Sequence, residues 1–316
     1  MFAGSLMMKH ATDTIHLALM LGALGITYLV PFELLLLSYV ILGPAHYFTE
    51  ISWLHDRKYF LPHRSVPLVL AVVAVIAALI DNASWFGFVM WLAFVVSALL
   101  AAATTPLQAT ALVMVAMGVT VIMAVSGSSL AVLGILLPTL IHVSLFTLVF
   151  MTLGAIRSGS RMQAVLVLCY LAAIAILLAA PPSASTQIPA FAKVGQEYFG
   201  NVGPALGRLL GIRNVTLDAR LTSLLAFVYT YHYLNWFIKA ELIRWTDISR
   251  TRLALIVAAS ATSTALYFYD YAFGFTVLLA LSLVHVVLEF PLNSLALRQL
   301  GTTIWQGAAQ RAFRRA

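Results

Sequence analysis

The chain has 316 residues, of which 62% are hydrophobic and 9% are charged, and its net charge is +7. A soluble domain is about 45–50% apolar and about 25% charged, so a water-soluble fold of this composition could not cover its surface with polar groups. Several apolar runs exceed the roughly 18 residues that identify a membrane-spanning helix. The composition therefore excludes an ordinary soluble enzyme and predicts an all-α, polytopic integral membrane helix bundle.

Breaks between the apolar runs predict about ten transmembrane helices. The breaks contain prolines, glycines and polar residues, as at Pro31, Pro62 and Pro106. The first apolar run is interpreted as a retained helix, because no cleavage site follows a short apolar core. The whole chain, 1–316, is then a single transmembrane helical domain. The predicted helices cover residues 14–31, 33–56, 65–81, 84–104, 107–126, 129–156, 162–181, 219–243, 251–270 and 272–297.

The longest connection, 182–218, joins the seventh and eighth predicted helices. Within it Phe191, Val194, Tyr198 and Val202 recur at helical spacing. This pattern predicts an interfacial helix on the outer surface of the membrane, serving as a connector or as a lid over a lateral entry.

Charge orients the bundle. An even number of helices places both termini on one side, and nearly all lysines and arginines fall on that side. The short loops of the other side carry Glu33, Asp81 and Asp270 without a basic residue. The positive-inside rule therefore predicts cytoplasmic N- and C-termini in an inner (cytoplasmic) membrane. The positive net charge is a topology signal, and no nucleic-acid partner is needed to explain it.

Four histidines stand alone in four long apolar stretches: His46, His142, His232 and His285. In the predicted topology all four lie on helices that run from the outer side inward. Each lies about thirteen residues from the outer end of its helix, or about 20 Å at 1.5 Å per residue. The four histidines are therefore expected to share one depth near the centre of the bilayer, where polar side chains are costly.

Glu50 and Glu289 follow His46 and His285 by four residues, a spacing that places each pair on one helix face. Imidazoles and carboxylates are ligands of iron and other transition metals, and helix bundles build metal sites from inward-facing side chains. The pattern predicts a centre of one or two metal ions, with iron as the expected metal. The glutamates are also catalytic candidates, as proton acceptors. The predicted ligands are His46, His142, His232, His285, Glu50 and Glu289.

The stretch 229–239 is the most polar part of any predicted helix. Asn235 and Trp236 follow His232 by three and four residues, and Tyr229 lies on the same helix. Asn235 is a candidate to orient a ligand or substrate, and Tyr229 a candidate donor of hydrogen bonds or protons. Both are therefore added to the catalytic candidates. Helix packing is the alternative role of these aromatic residues.

Three functions are compatible with these residues. The first is a metal-dependent oxidoreductase or oxygenase that acts on a hydrophobic isoprenoid or lipid, with membrane lipid as its surroundings and a redox partner left unknown. The second is a haem-binding electron-transfer protein, which leaves the glutamates unexplained. The third is a proton- or ion-coupled transporter, which predicts polar residues toward both membrane faces. The outer halves of the four histidine helices are instead nearly all apolar.

Two segments resemble the histidine helices of the Brp/Blh-type carotene dioxygenases. They are GPAHYFTE at 43–50 and LVHVVLE at 283–289, and the first differs from the family pattern at Tyr47 and Glu50. Members of that family are multi-span proteins that cleave β-carotene to retinal and are thought to use iron held by histidines. The resemblance implies an iron-dependent dioxygenase with a carotenoid-like substrate.

Overall fold

A computed structural model describes residues 2–61, 63–80, 82–103, 105–125, 130–182, 190–211, 219–239 and 244–313. Side chains are described for these ranges except in 2–11, 106 and 307–313. Throughout the described ranges the regular structure is helical, with no β-strand. The predicted all-α class is confirmed.

The described residues form the following helices, numbered in chain order. They are α1 (Phe2–Leu29), α2 (Pro31–Asp56), α3 (Val66–Ala78), α4 (Ala83–Ala102), α5 (Pro106–Val125), α6 (Leu130–Ser158), α7 (Arg161–Ala179), α8 (Lys193–Gly200), α9 (Val202–Leu210), α10 (Ala219–Ile238), α11 (Arg250–Tyr269) and α12 (Tyr271–Phe313). Single 3₁₀ turns lie at Lys58–Phe60 and Ala190–Ala192.

Eight of these helices are long and apolar enough to cross a membrane. The two other predicted spans differ from them. Helix α3 has 13 residues, about 20 Å of helix, which is shorter than the roughly 30 Å of a hydrocarbon core. Helix α10 has 20 residues, but its tyrosines, threonines, histidine and asparagine lower its hydropathy. Helix α12 continues well past the predicted end at 297, because no proline follows to stop it.

Contacts between helix ends fix the direction of the helices. At one end of the bundle the Gln163 amide at the start of α7 donates to the Asp13 carboxylate of α1, 3.5 Å away, next to Arg157 at the end of α6. At the other end the Tyr28 hydroxyl of α1 donates to the Ala180 carbonyl after α7, 2.7 Å away. We name these the Arg157 end and the Tyr28 end. The four histidine helices α2, α6, α10 and α12 all run toward the Arg157 end, as the sequence predicts.

Two of the histidine helices contain π-helical turns beside a proline. In α2 the π-turn covers Ser38–Leu42 and precedes Pro44, and in α6 it covers Leu137–Phe146 and includes Pro138. Proline has no N–H and its ring clashes with the carbonyl four residues earlier. The wider π-turn accommodates that clash, and such turns are frequent at functional sites. The histidines beside or within these turns are thereby rotated relative to a regular α-helix.

A side chain from a neighbouring helix satisfies the carbonyl that Pro44 leaves without its α-helical donor. That carbonyl belongs to Val40, and Thr264 Oγ1 of α11 donates to it at 2.9 Å. Hydroxyl side chains commonly satisfy freed carbonyls of proline-containing membrane helices. The contact therefore fixes α11 against α2 just before the first histidine.

Helices α4 and α6 cross where both carry a glycine. A Cβ added to Gly134 would lie 1.7 Å from the carbonyl oxygen of Gly87, and a Cβ added to Gly87 would lie 1.9 Å from that of Ala131. Only glycine permits such a close approach of two helix backbones. The crossing holds the first part of α6 against the bundle and so positions its histidine.

The predicted outer connection packs into the Tyr28 end of the bundle. Residues 183–189 and 212–218 of this connection lie outside the described ranges. Between them the single predicted helix is two helices, α8 and α9, separated at Asn201. Phe199 and Val202 are buried in the core, where Phe199 contacts Tyr39 edge to face at 5.6 Å between ring centroids. The segment is therefore anchored by its aromatic and aliphatic residues and does not lie only on the surface.

Candidate metal centre

The structure brings the four solitary histidines together from four different helices. The ring centroids of His46 and His232 lie 4.8 Å apart, and those of His232 and His142 lie 5.0 Å apart. His285 closes the arrangement, at 5.2 Å from both His142 and His46. Each ring therefore contacts two others, and we call these four residues the histidine cluster.

The nitrogen atoms are spaced as metal ligands would be. His46 Nε2 and His232 Nε2 lie 3.2 Å apart. Two imidazole nitrogens at about 2.0–2.1 Å from one ion lie about 3–3.4 Å apart for ligand angles between about 90° and 110°. Ligand atoms of His46, His232 and His285 all lie within 4.8 Å of one another. Three histidines thus lie close enough to hold a metal ion, and His142 stands beside them as a fourth.

Both glutamates lie against the histidine cluster. Glu50 Oε2 is 3.0 Å from His46 Nε2 on the same helix, as the spacing of four residues predicts. Glu289 Oε2 is 3.3 Å from His142 Nδ1 of α6, whereas the sequence pairs it with His285 of its own helix. The difference arises because α6 packs beside α12 at this depth. The two carboxyl groups also interact with each other.

Several buried polar atoms of this site have no hydrogen-bond partner among the described residues. They include both ring nitrogens of His285, His142 Nε2 and His46 Nδ1. Glu50 Oε2, Glu289 Oε2 and His142 Nδ1 have no hydrogen bond either, beyond the carboxyl–imidazole contacts given above. Each unsatisfied buried group costs about 1–3 kcal/mol, and native proteins keep few of them. No lysine or arginine in the described ranges pairs with either glutamate. A bound divalent cation would satisfy the nitrogens and neutralise both carboxylates, so the donor set fits a metal.

A threonine orients one of the histidines, and the sequence analysis did not identify it. Thr147 Oγ1 of α6 lies 2.8 Å from His232 Nδ1, the nitrogen on the other side of the ring from His46. A hydrogen bond at the distal nitrogen fixes the orientation of a ligating imidazole. Thr147 gives no signal in the sequence, because which side chain faces His232 depends on how α6 and α10 pack.

A tyrosine supports another histidine. The Tyr47 ring stacks on His285 with centroids 4.2 Å apart and an angle of 20° between the planes. The Tyr47 hydroxyl forms a hydrogen bond of 2.8 Å with the Tyr233 hydroxyl of α10. Tyr229, a predicted catalytic residue, lies one turn before Tyr233 and packs 6.0 Å from it. Tyr229 therefore belongs to an aromatic cluster beside the site.

This aromatic cluster closes the site toward the Tyr28 end. Its rings come from α2, α8, α10 and α12 and pack mostly edge to face, with adjacent centroids about 5–6.5 Å apart. Burial raises the pKa of the Tyr198 phenol, which stays neutral there. The members of the aromatic cluster are Tyr39, Tyr47, Tyr198, Phe199, Tyr229, Tyr233 and Phe275.

A cavity of about 550 Å³ extends from the histidine cluster toward the Arg157 end. Its deep wall is formed by His46, Glu50, His232, Asn235 and Glu289. The side walls are apolar and come mostly from α6 and α12, including Phe146, Phe150, Met151, Leu166, Leu292 and Leu295. The far wall is polar and carries Asp13, Arg157, Gln163, Lys239 and Gln299. The volume falls within the roughly 300–1,000 Å³ of small-molecule sites.

Two further polar residues, Asn235 and His16, line the cavity. Asn235, a predicted catalytic residue, lines the cavity, and its Oδ1 is buried without a hydrogen-bond partner among the described residues. His16 of α1, to which the sequence analysis gave no role, is also buried in the cavity wall, and its Nδ1 lies 3.4 Å from the Tyr231 hydroxyl. His16 lies near the start of the chain, far in sequence from the other site residues, so spacing gives no signal for it.

The fold and the site together define an all-helical protein in which a buried histidine cluster could hold a metal at the deep end of a cavity. Comparison with known protein families, with curated proteins and with solved structures finds no match to this chain. The resemblance to the Brp/Blh-type dioxygenases stays a prediction from two short motifs.

Proposed function

We propose that the protein is an integral membrane, metal-dependent oxidoreductase that oxygenates a hydrophobic isoprenoid or lipid substrate. One observation carries the proposal. Four histidines from four helices and two buried glutamates surround one point, and that point lies at the deep end of a largely apolar cavity.

The lipid setting is supported by the helix surfaces. Leu107 and Val125 of α5 expose 82% and 86% of their surface, and further leucines and valines of α3 and α5 expose between 43% and 70%. Large apolar surfaces of this kind face lipid or a protein partner.

We assign the Arg157 end to the cytoplasm by the positive-inside rule. The cavity then opens toward the cytoplasmic side and the aromatic cluster lies toward the outer side.

Iron is the metal that this donor set favours for oxidation chemistry. Imidazole and carboxylate ligands suit iron, and the single cysteine, Cys169, is not among the site residues. When bound, iron supplies the electron-transfer and dioxygen chemistry that protein side chains lack. The carboxylates offset the charge of one or two ions.

The protein's own residues prepare the site for this chemistry. The histidines hold the metal, and Thr147 fixes His232 in a ligating orientation. Glu50 lies at the boundary between the cluster and the cavity, where it accepts a proton from the substrate. Asn235 lines the same cavity, and its side-chain amide orients the substrate. The aromatic cluster excludes water from the opposite side, which protects reactive intermediates.

The geometry supports this proposal over the two alternatives. A haem between two axial histidines needs a planar gap, whereas His46 and His232 are in contact, with Nε2 atoms 3.2 Å apart. A transporter needs a polar path to both ends, whereas the aromatic cluster fills the Tyr28 side in the described part of the chain.

Elemental analysis of protein purified in mild detergent after expression with iron supplied tests the proposal. We expect one or two iron ions per chain and no Soret band. His46→Ala and His232→Ala should each remove most of the metal. His55→Ala is the matched control, since His55 is exposed near the end of the same helix as His46. Less than about 0.3 metal ions per chain in the unaltered protein, in the absence of chelator, would refute the proposal.

A further inference from the structure

The two ends of the cavity differ in chemistry. The deep end holds the histidine cluster and the two glutamates, and the far end carries the cations Arg157 and Lys239. Between them the walls are aromatic and aliphatic, with Phe146, Phe150 and Leu292 among the lining residues. A purely apolar substrate would use the walls and leave the charged end without a role.

Lys239 is a cation of this cavity that has no ion-pair partner among the described residues. Arg157 donates to the Gln299 side chain and Asp13 accepts from Gln163 at 3.5 Å. Lys239 is half-buried. With one carboxylate against two cations, this end of the cavity carries a net positive charge.

The distance between Lys239 and the histidine cluster sets the length of the apolar chain that fits between them. Lys239 directly follows the last residue of α10, and His232 lies two turns earlier on the same helix. Seven residues of α-helix span about 10 Å. The apolar walls occupy this interval, so an elongated apolar chain fits between the cation and the cluster.

We propose that the cavity binds a single-chain amphiphile with an anionic headgroup, a carboxylate or a phosphate. Lys239 holds the headgroup, with Arg157 beside it, and the apolar chain runs along the cavity walls to the histidine cluster. The ligand assignment stands on the cavity, whereas oxidation of the chain rests on the proposed function. A half-buried ammonium without a partner is unfavourable, and an anionic headgroup supplies the missing partner.

The test measures displacement of tritiated decanoate, whose extended chain matches the interval between Lys239 and the histidine cluster, from the purified protein in an uncharged detergent. The competitors are decanoate, decyl phosphate and methyl decanoate. Since detergent already solvates the chain, the headgroup decides the ranking. We expect at least one anion to compete about ten-fold or more better than the neutral ester, because only the anion can accept a charge-assisted hydrogen bond from Lys239. The better competitor distinguishes a carboxylate from a phosphate ligand.

Variants separate the headgroup contact from general folding. Lys239→Met should abolish the preference for the anion, and Lys239→Arg should retain most of it. Lys193→Met is the control, because Lys193 is an exposed lysine at the start of α8, outside the cavity. Equal competition by ester and anions, an unchanged preference in Lys239→Met, or no displaceable binding would each overturn the assignment.

Metal content measured on the same samples keeps the two proposals apart. Protein that holds iron but shows no preference for the anions contradicts the amphiphile and leaves the metal centre standing. Protein that lacks metal but prefers the anions, with loss of that preference in Lys239→Met, supports the amphiphile and contradicts the proposed oxygenase.

Discussion

Thr147 Oγ1 lies 2.8 Å from His232 Nδ1, while Nε2 of the same ring faces His46 at 3.2 Å. One nitrogen of His232 is thus occupied by a neutral hydroxyl and the other points into the histidine cluster. If Nδ1 carries the proton and donates it to the hydroxyl oxygen, Nε2 keeps its lone pair for a metal. The pair of contacts therefore accommodates the tautomer that can ligate.

Thr147→Val is expected to weaken metal binding by about ten- to hundred-fold, the usual effect of removing such a supporting hydrogen bond. Valine has nearly the same shape, so the fold should persist. Metal affinity can be measured by competition with a graded chelator. Thr147→Ser should restore most of the affinity. Thr139→Val is the matched control, since Thr139 lies on the same helix and bonds only to its own helix backbone at Ile135 and Leu136. Unchanged affinity in Thr147→Val would show that the hydroxyl does not orient the ligand.

Glu50→Gln is expected to change stability in opposite directions with and without metal. With metal, loss of one negative charge weakens binding and lowers the melting temperature. Without metal, two buried carboxyl groups that interact with each other are unfavourable, so replacing one of them with a neutral amide should stabilise the metal-free protein by about 1–3 kcal/mol. Thermal unfolding with and without chelator measures both.

The control for this experiment is Glu197→Gln, since Glu197 is exposed on α8. It should leave both melting temperatures unchanged. The same direction of change in Glu50→Gln with and without metal would contradict the role of Glu50 in balancing the charge of a cation.

The four histidines and Glu50 were predictable because each is a solitary polar residue in an apolar stretch. Their common helix direction followed from counting helices, and the i,i+4 spacing placed Glu50 beside His46. Membrane helices make such reasoning effective, since a buried polar side chain there is costly and therefore conspicuous.

The remaining contacts were not predictable, because they depend on how each helix is rotated about its axis. The π-turns in α2 and α6 shift that rotation relative to a regular period of 3.6 residues. Glu289 consequently contacts His142 of another helix, and Tyr47 stacks on His285. Of the ten predicted spans, eight correspond to helices that are long and apolar enough to cross a membrane. The other two are α3, which is short, and α10, whose polar side chains lower its mean hydropathy.

Gly134→Ala is expected to destabilise the protein, because its Cβ would lie 1.7 Å from the Gly87 carbonyl oxygen and would force α4 and α6 apart. Overpacking of this kind costs about 1–3 kcal/mol or more. Gly118→Ala on α5 is the control, since no atom lies within 4 Å of the added Cβ. That change should be neutral or stabilise by up to about 1 kcal/mol, because alanine is the better helix former. Reversible unfolding in mixed micelles measures both, and equal effects of the two changes would exclude the close helix crossing.

Tyr47 and Tyr233 should be energetically coupled through their hydroxyl groups, which lie 2.8 Å apart and are buried. Tyr47→Phe preserves the ring that stacks on His285 and removes only the hydroxyl. Tyr47→Phe and Tyr233→Phe should each cost about 1–2 kcal/mol, since each leaves the partner hydroxyl unsatisfied. The double variant should cost less than the sum of the two by about 1 kcal/mol, because no hydroxyl is then left without a partner. A double-mutant cycle of unfolding free energies measures this coupling.

Additive costs would show that the two hydroxyls do not interact. Retained metal binding in Tyr47→Phe would show that the aromatic ring, and not the hydroxyl, supports His285.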